Sequence, residues 1–200
     1  MRSKKQQEVN GLTWKKKAFS IVLFLIAAIL TARIFMVNLQ WPAASRIEIP
    51  TGEKFSLDGL ALSVESSSIM SPEEIYSFCK IDEEQATRLM LEQMIAQGWQ
   101  AKILCITLSA ANETDHPVAF HTGNLMAECG PWSNGLDFDL FEMVNRSTGT
   151  VEIAPSESKE IHLFYDLYDR HFTPYDWKNI DNQPFALTIS LYPEKILLCV

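Results

Sequence analysis

Asp137, Asp139 and Glu142 are the first residues of this 200-residue chain whose types and spacing suggest chemistry. In the alternating run 136–140 the two aspartates project from one face of a strand, and Glu142 lies within reach across its end. A hard cation binds such an oxygen-rich group. Calcium, however, takes about six to eight oxygen ligands, and an i, i+2 pair supplies two, without the glycine-containing acidic loop of an EF-hand. A solvated strand face is the reading favoured. Residues 166–181, holding Asp169, Asp176 and Asp181, form a second acidic concentration and are read the same way. Histidines 116, 121, 162 and 171 fit no metal spacing and read as surface or edge positions. No G-x-S-x-G, H-E-x-x-H, phosphate-binding or dinucleotide glycine pattern is present. No metal, cofactor or catalytic residue is assigned.

The aromatic concentration from 165 to 177 is the stronger candidate. Tyr168, Phe172, Tyr175 and Trp177 crowd a loop interrupted by Asp166, Asp169, Arg170 and Pro174. Aromatic side chains on loops over a rigid scaffold contact partners, so these four are the candidate partner-binding residues. The reading favoured, however, is that they cap the open end of the core. Asn112-Glu113-Thr114 and Asn145-Arg146-Ser147 match the glycosylation sequon, which matters only in a eukaryotic secretory route. Cys79, Cys105, Cys129 and Cys199 form no zinc pattern. Their even number allows disulfides, and Cys105 and Cys199 read equally well as small buried hydrophobes.

What must position these residues begins at residues 18–37, AFSIVLFLIAAILTARIFMV. At about 1.5 Å per residue this run makes a helix of roughly 30 Å, the thickness of a bilayer's hydrocarbon. Lys15, Lys16 and Lys17 precede it and place the tail 1–17 in the cytoplasm by the positive-inside rule. Trp14 and Trp41 flank the run as interfacial anchors, and Arg33 reaches the outer headgroups by its long stem. The competing reading is a cleaved secretory signal ending near Ala43-Ala44-Ser45, although a signal's apolar core is about 7 to 15 residues. The expected partner of residues 18–37 is the lipid bilayer, with the C-terminal portion extracytoplasmic.

Charge divides sharply along the chain. The first 37 residues hold seven Lys/Arg and one acid, leaving ten basic and twenty-four acidic residues, a balance of −14, for the rest. Such a balance excludes nucleic acid as a partner. Residues 38–58 read as a stalk punctuated by Pro42, Pro50 and Gly52, and 59–200 as one domain. Leu60, Leu62 and Val64 alternate as a strand. Ser71-Pro72-Glu73-Glu74 is a capping box with proline at the first helical position, opening a helical insertion over about 71–97 that ends at Gly98. Short strands with turns between them follow, including 104–108, 136–140, 161–167 and 185–191. Seven or eight strands with one insertion make the expected fold mainly β, an immunoglobulin-like antiparallel β-sandwich preceded by one transmembrane helix.

Three segments carry a resemblance: the strand 101–110 ending in Ala111-Asn112-Glu113-Thr114, the run Ile153-Ala154-Pro155-Ser156-Glu157-Ser158-Lys159-Glu160, and the closing Leu187-Thr188-Ile189-Ser190-Leu191-Tyr192-Pro193. With the N-terminal anchor, their succession resembles bacterial single-pass or lipid-anchored immunoglobulin-like domains of unknown function, common in Gram-positive bacteria. The likeness covers most of 55–200. The chain departs from lipid-anchored members in having no Cys before Cys79, and from many members in having four cysteines. The resemblance implies an extracytoplasmic fold and brings no catalytic residues. The expected role is a non-enzymatic binding or accessory module of the cell envelope with an unidentified protein or envelope partner. A structural subunit of a membrane complex and a metal-dependent envelope hydrolase are the alternatives.

Overall fold

The computed structural model describes residues 2–41 and 44–200, and the chain divides into two units, Met1–Ala44 and Ser45–Val200. The first unit is a helix, α1 (Arg2–Gln40). Its stretch Phe19–Gln40, 22 residues long, has no buried part and is long and apolar enough to cross a bilayer. A signal sequence passes the same test.

The second unit is a β-sandwich. One sheet holds β2 (Phe55–Leu57), β3 (Leu60–Met70), β4 (Ala101–Asn112) and β9 (Ser158–Tyr168), in that order. The other holds β1 (Ser45–Ile49), β11 (Glu194–Cys199), β10 (Ala186–Ser190), β6 (Met126–Cys129) and β7 (Trp132–Asn134), in spatial order. A two-stranded ribbon, β5 (Val118–His121) with β8 (Thr150–Ile153), completes the strands. After β4 the chain passes through β5 to β6 and β7 of the other sheet, returns through β8 to β9, and crosses once more to β10 and β11. The three-strand groupings β3-β4-β9 and β6-β10-β11 are thereby those of the immunoglobulin topology.

The expected stalk, 38–58, is corrected by the pairing. Residues 45–49 lie parallel to β11, from Ser45 opposite Glu194 to Ile49 opposite Leu198, because Ile47 and Ile49 alternate inward against Arg46 and Glu48 outward. β2 turns back onto β3 through Asp58-Gly59, both at positive φ, the favoured two-residue hairpin. The folded unit therefore begins at Ser45, not at residue 59.

A second correction falls on 136–140. Leu136, Phe138 and Leu140 alternate as a strand would, yet the segment opens α5 (Phe138–Asn145). The Asp137 carboxylate accepts the backbone N–H of Leu140 at 2.9 Å as the helix N-cap. The buried pair Leu140 and Phe141 fixes the period as helical. Within the helical insertion expected over 71–97, the second half is two short helices, α3 (Glu83–Ala86) and α4 (Met90–Ala96). The first insertion helix, α2 (Pro72–Cys79), starts at the Ser71 capping box.

Two cores result. Between the sheets, Leu104, Ile106 and Leu108 of β4 meet Leu163, Tyr165 and Leu167 of β9. On the outer face of the same sheet, Ile103, Cys105, Phe164 and Tyr168 are covered by Ile75, Leu89, Leu91 and Leu140 from α2, α4, α5 and the turn before α4. Each fully buried aliphatic side chain contributes about 1.5–3 kcal/mol. The insertion thus converts a face that would be wet in a plain sandwich into a second interior, and Asp166, between Phe164 and Tyr168 on β9, is carried into it.

Candidate functional site

A cleft of about 410 Å³ opens where the end of β9 passes the start of α5. Asp137, Phe138, Asp166, Tyr168, His171 and Met90 line it. Strand alternation turns Asp166 toward the helices, and only 6 % of it is exposed. Its main chain is held by Asn134, whose Nδ2 donates to the Asp166 carbonyl at 3.0 Å. The Asp137 N–H donates to the Phe164 carbonyl at 2.8 Å, stitching the start of α5 to β9 two residues from Asp166.

The two carboxyls are unequal. The Tyr168 hydroxyl donates to Asp166 Oδ2 at 2.7 Å, while Oδ1, fully buried, receives no donor among the described residues. The polar group within reach is the Asp137 carboxyl. Two carboxylates cannot hydrogen-bond each other, so a bond forms only when one of them carries a proton. Burial pushes Asp166 up to about 7, and the charge of Asp137 adds to the shift. Burial also raises Asp137. With Asp166 raised to about 7, a proton bridges the two carboxyls below neutrality and is lost as pH rises through that value, leaving Oδ1 without a donor.

The rim is built from aromatic rings in edge contact. Trp99 lies 5.5 Å from Tyr168 and 5.8 Å from His171 between ring centroids. The Arg170 guanidinium sits 4.9 Å over the Trp99 ring. Asp169 ties this corner to the start of β4, its carboxylate accepting the Gln100 N–H at 3.1 Å.

The four aromatic candidates separate. Tyr168 is buried in the second core, and Phe172 and Trp177 pack against the main one. Trp177 Nε1 also donates to Gln100 at 2.9 Å. Tyr175 alone is presented, at 75 % exposed. The acidic concentration 166–181 is engaged within the fold. Besides Asp169, Asp176 accepts from the Thr173 hydroxyl at 2.6 Å, and Asp181 from Lys102 at 2.8 Å. Glu142 is solvent-exposed on α5, and Asp139, also exposed, lines the same cleft, where its charge adds to the rise of both carboxyls.

Both sequon asparagines are turned inward. Asn112 is buried and donates to the His116 and Ile153 carbonyls at 2.8 and 2.9 Å. Asn145 donates to the His162 carbonyl at 2.8 Å. The four cysteines are unpaired, and burial pushes the Cys105 thiol up to about 12. Of the membrane-flanking residues, Lys17, Arg33 and Trp41 are exposed, whereas the side chains of Trp14, Lys15 and Lys16 lie outside the described residues.

Residues 49–196 match the family described as "Domain of unknown function (DUF5028)". The chain belongs to that family. The matched span opens at the last residue of β1 and reaches into β11, so the DUF5028 domain takes in both sheets, the insertion and the acid pair. No curated protein matches the sequence. Among solved structures, an uncharacterised β-sandwich protein from Clostridium difficile 630 is similar at 14 % identity, covering 78 % of this chain and 95 % of its own, with a TM-score of 0.40. A functionally unknown protein from Listeria monocytogenes EGD-e is similar at 9 % identity, over 74 % of this chain and 71 % of its own, with a TM-score of 0.46. A conserved hypothetical protein from Bacillus anthracis is similar at 11 % identity, over 74 % and 93 %, with a TM-score of 0.40.

What the sequence reading missed is the meeting of Asp137 with Asp166. Each carried a signal of its own, Asp137 in the acidic trio and Asp166 among the aromatics. The signal that joins them is Ile103, Cys105 and Phe164. Apolar residues on the outward positions of paired strands mean that the outer face is covered.

Proposed function

We propose that this protein is a single-pass, membrane-anchored module that presents its DUF5028 domain on the outer side of the cytoplasmic membrane. There it serves as a non-enzymatic binding or accessory component of the cell envelope. The observation that carries this reading is the wholly unburied apolar stretch Phe19–Gln40, joined to a folded unit whose first strand starts at Ser45. Three lysines before the span and an acidic domain after it support the orientation. The cleft over Asp137 and Asp166 is the recognition site of the module. No catalysis is assigned to it: Asp137 is committed to capping α5 and Asp139 faces solvent.

Protease added to intact cells tests the arrangement. The expected result is loss of residues 45–200 while the chain stays in the membrane fraction. Full protection of that portion, or a mature product that begins near Ile47, overturns the reading.

A further inference from the structure

Asp166 Oδ1 is a fully buried carboxyl oxygen without a hydrogen-bond donor, on a residue that lines an open cleft and stands beside a second carboxyl. We infer that this cleft is a receptor for a primary ammonium group on a short organic stem, seated between the Asp137 and Asp166 carboxyls. The inference deepens the binding-module reading and rests on it.

The charge and hydrogen bonding of the site select the ligand. Once the bridging proton has left, Oδ1 needs a donor, and an ammonium brings three N–H donors where a quaternary nitrogen has none. Neither carboxyl has an ion-pair partner among the described residues. The titratable groups around the pair are Asp139 from α5, Tyr168 on the strand of Asp166, Tyr76 and Cys79 from α2, and His171 at the rim. The Tyr76 hydroxyl is itself committed to Glu92 of α4, at 2.6 Å. Arg170 is turned onto Trp99. The pair therefore sits among acids, phenols and a thiol, with His171 at the rim and no ion-pair partner for its negative charge among the described residues.

Shape selects further. Met90 and Phe138 offer apolar wall to a stem. A cleft of about 410 Å³ suits a small molecule or one extended side chain. A divalent metal is served worse, since it takes about six or more oxygens and one oxygen of Asp137 already accepts the Leu140 N–H.

Binding breaks no covalent bond other than the one to the shared proton. The ammonium enters with its positive charge, both carboxyls become ionised, and the proton leaves to solvent. Affinity then rises with pH until the pair is ionised without help.

The test is calorimetric titration of the full-length chain in detergent micelles with n-butylammonium chloride at pH 5.5, 6.5 and 7.5. Tetramethylammonium chloride and calcium chloride serve as comparators. Saturable binding of butylammonium is expected, strengthening by up to about tenfold per pH unit below neutrality, with proton release seen as a dependence on buffer ionisation heat. Asp166→Asn and Asp137→Asn should each weaken it at least about tenfold. Asn still caps a helix and still accepts from Tyr168, so both variants retain the fold, which circular dichroism checks. Absence of saturable butylammonium binding, equal binding of tetramethylammonium or calcium, or indifference to both substitutions overturns the inference. Those results leave the protease test of the anchored module untouched, so the two fail separately.

Discussion

Tyr168 donates its hydroxyl to Oδ2 of Asp166 at 2.7 Å, two residues back along the same strand face, and so satisfies one half of a carboxyl whose other half has no donor. Burial and the charge of Asp137 push the proton affinity of Asp166 up, and they outweigh the hydrogen bond, which favours the charged carboxylate. The same contact raises the Tyr168 phenol, after burial. The strand therefore stores its acid in a half-satisfied state that responds to proton concentration and to any added donor.

Stability should fall as pH rises through this pair. The folded Asp166 titrates at about 7, above an ordinary unfolded aspartate at about 3.9. Between those values the native chain binds more protons than the unfolded one, so its advantage is complete below pH 4 and lost by about pH 7. Asp166→Asn removes this dependence and should stabilise the domain by about 1–3 kcal/mol above neutrality, the cost of a buried unsatisfied acceptor. Thermal denaturation of both proteins from pH 4.5 to 8 reads the difference. Parallel curves would refute the assignment.

Asn112 should be among the costliest polar positions to truncate. Its amide donates to the His116 and Ile153 carbonyls, and its Oδ1 accepts the Thr114 N–H and hydroxyl at 2.8 and 2.7 Å. One side chain thereby joins the end of β4, the following turn and the end of β8. Asn112→Ala should cost about 3 kcal/mol, measured by urea denaturation at neutral pH.

Lys195→Met should destabilise the domain in a pH-dependent way. Glu128 is largely buried on β6. Burial raises its carboxyl, but the hydrogen bonds from Lys195 and Thr188 outweigh burial and hold it below its usual range. A lowered carboxyl contributes stability above its unfolded pKa, which disappears as pH falls through the folded value. The loss on substitution should be about 1–3 kcal/mol at pH 7 and smaller at pH 3.5, as chemical denaturation at the two values would show.

The aromatic loop should divide by function of position. Trp177→Ala removes packing on the main core and the bond to Gln100, and should cost about 2–4 kcal/mol. Tyr175→Ala should change stability by less than about 0.5 kcal/mol. Melting curves of the two variants settle which aromatic residues are free to meet a partner.

Local signals were readable wherever one segment decided its own structure. Ser71 with Glu74 marked the start of α2, and the alternation in 60–64 and 185–191 marked strands. Segments that depend on a distant partner were not readable in that way. Residues 45–49 look like a tether until β11, some 150 residues later, supplies a pairing edge. In 136–140 one alternating pattern satisfies either a strand or a helix entry, and the Asp137 cap decides. The acid pair was hidden for the same reason: Asp137 and Asp166 belong to separate elements, and only the covering of the outer sheet face brings them together.

The parallel ladder between β1 and β11 also bears on force. A pull delivered at Ser45 along the strand loads all five register pairs from Ser45 to Ile49 at once, as shear, whereas a hairpin pulled at its ends opens one pair at a time. The domain can thus be tugged from its N-terminal side against its C-terminal strand without peeling.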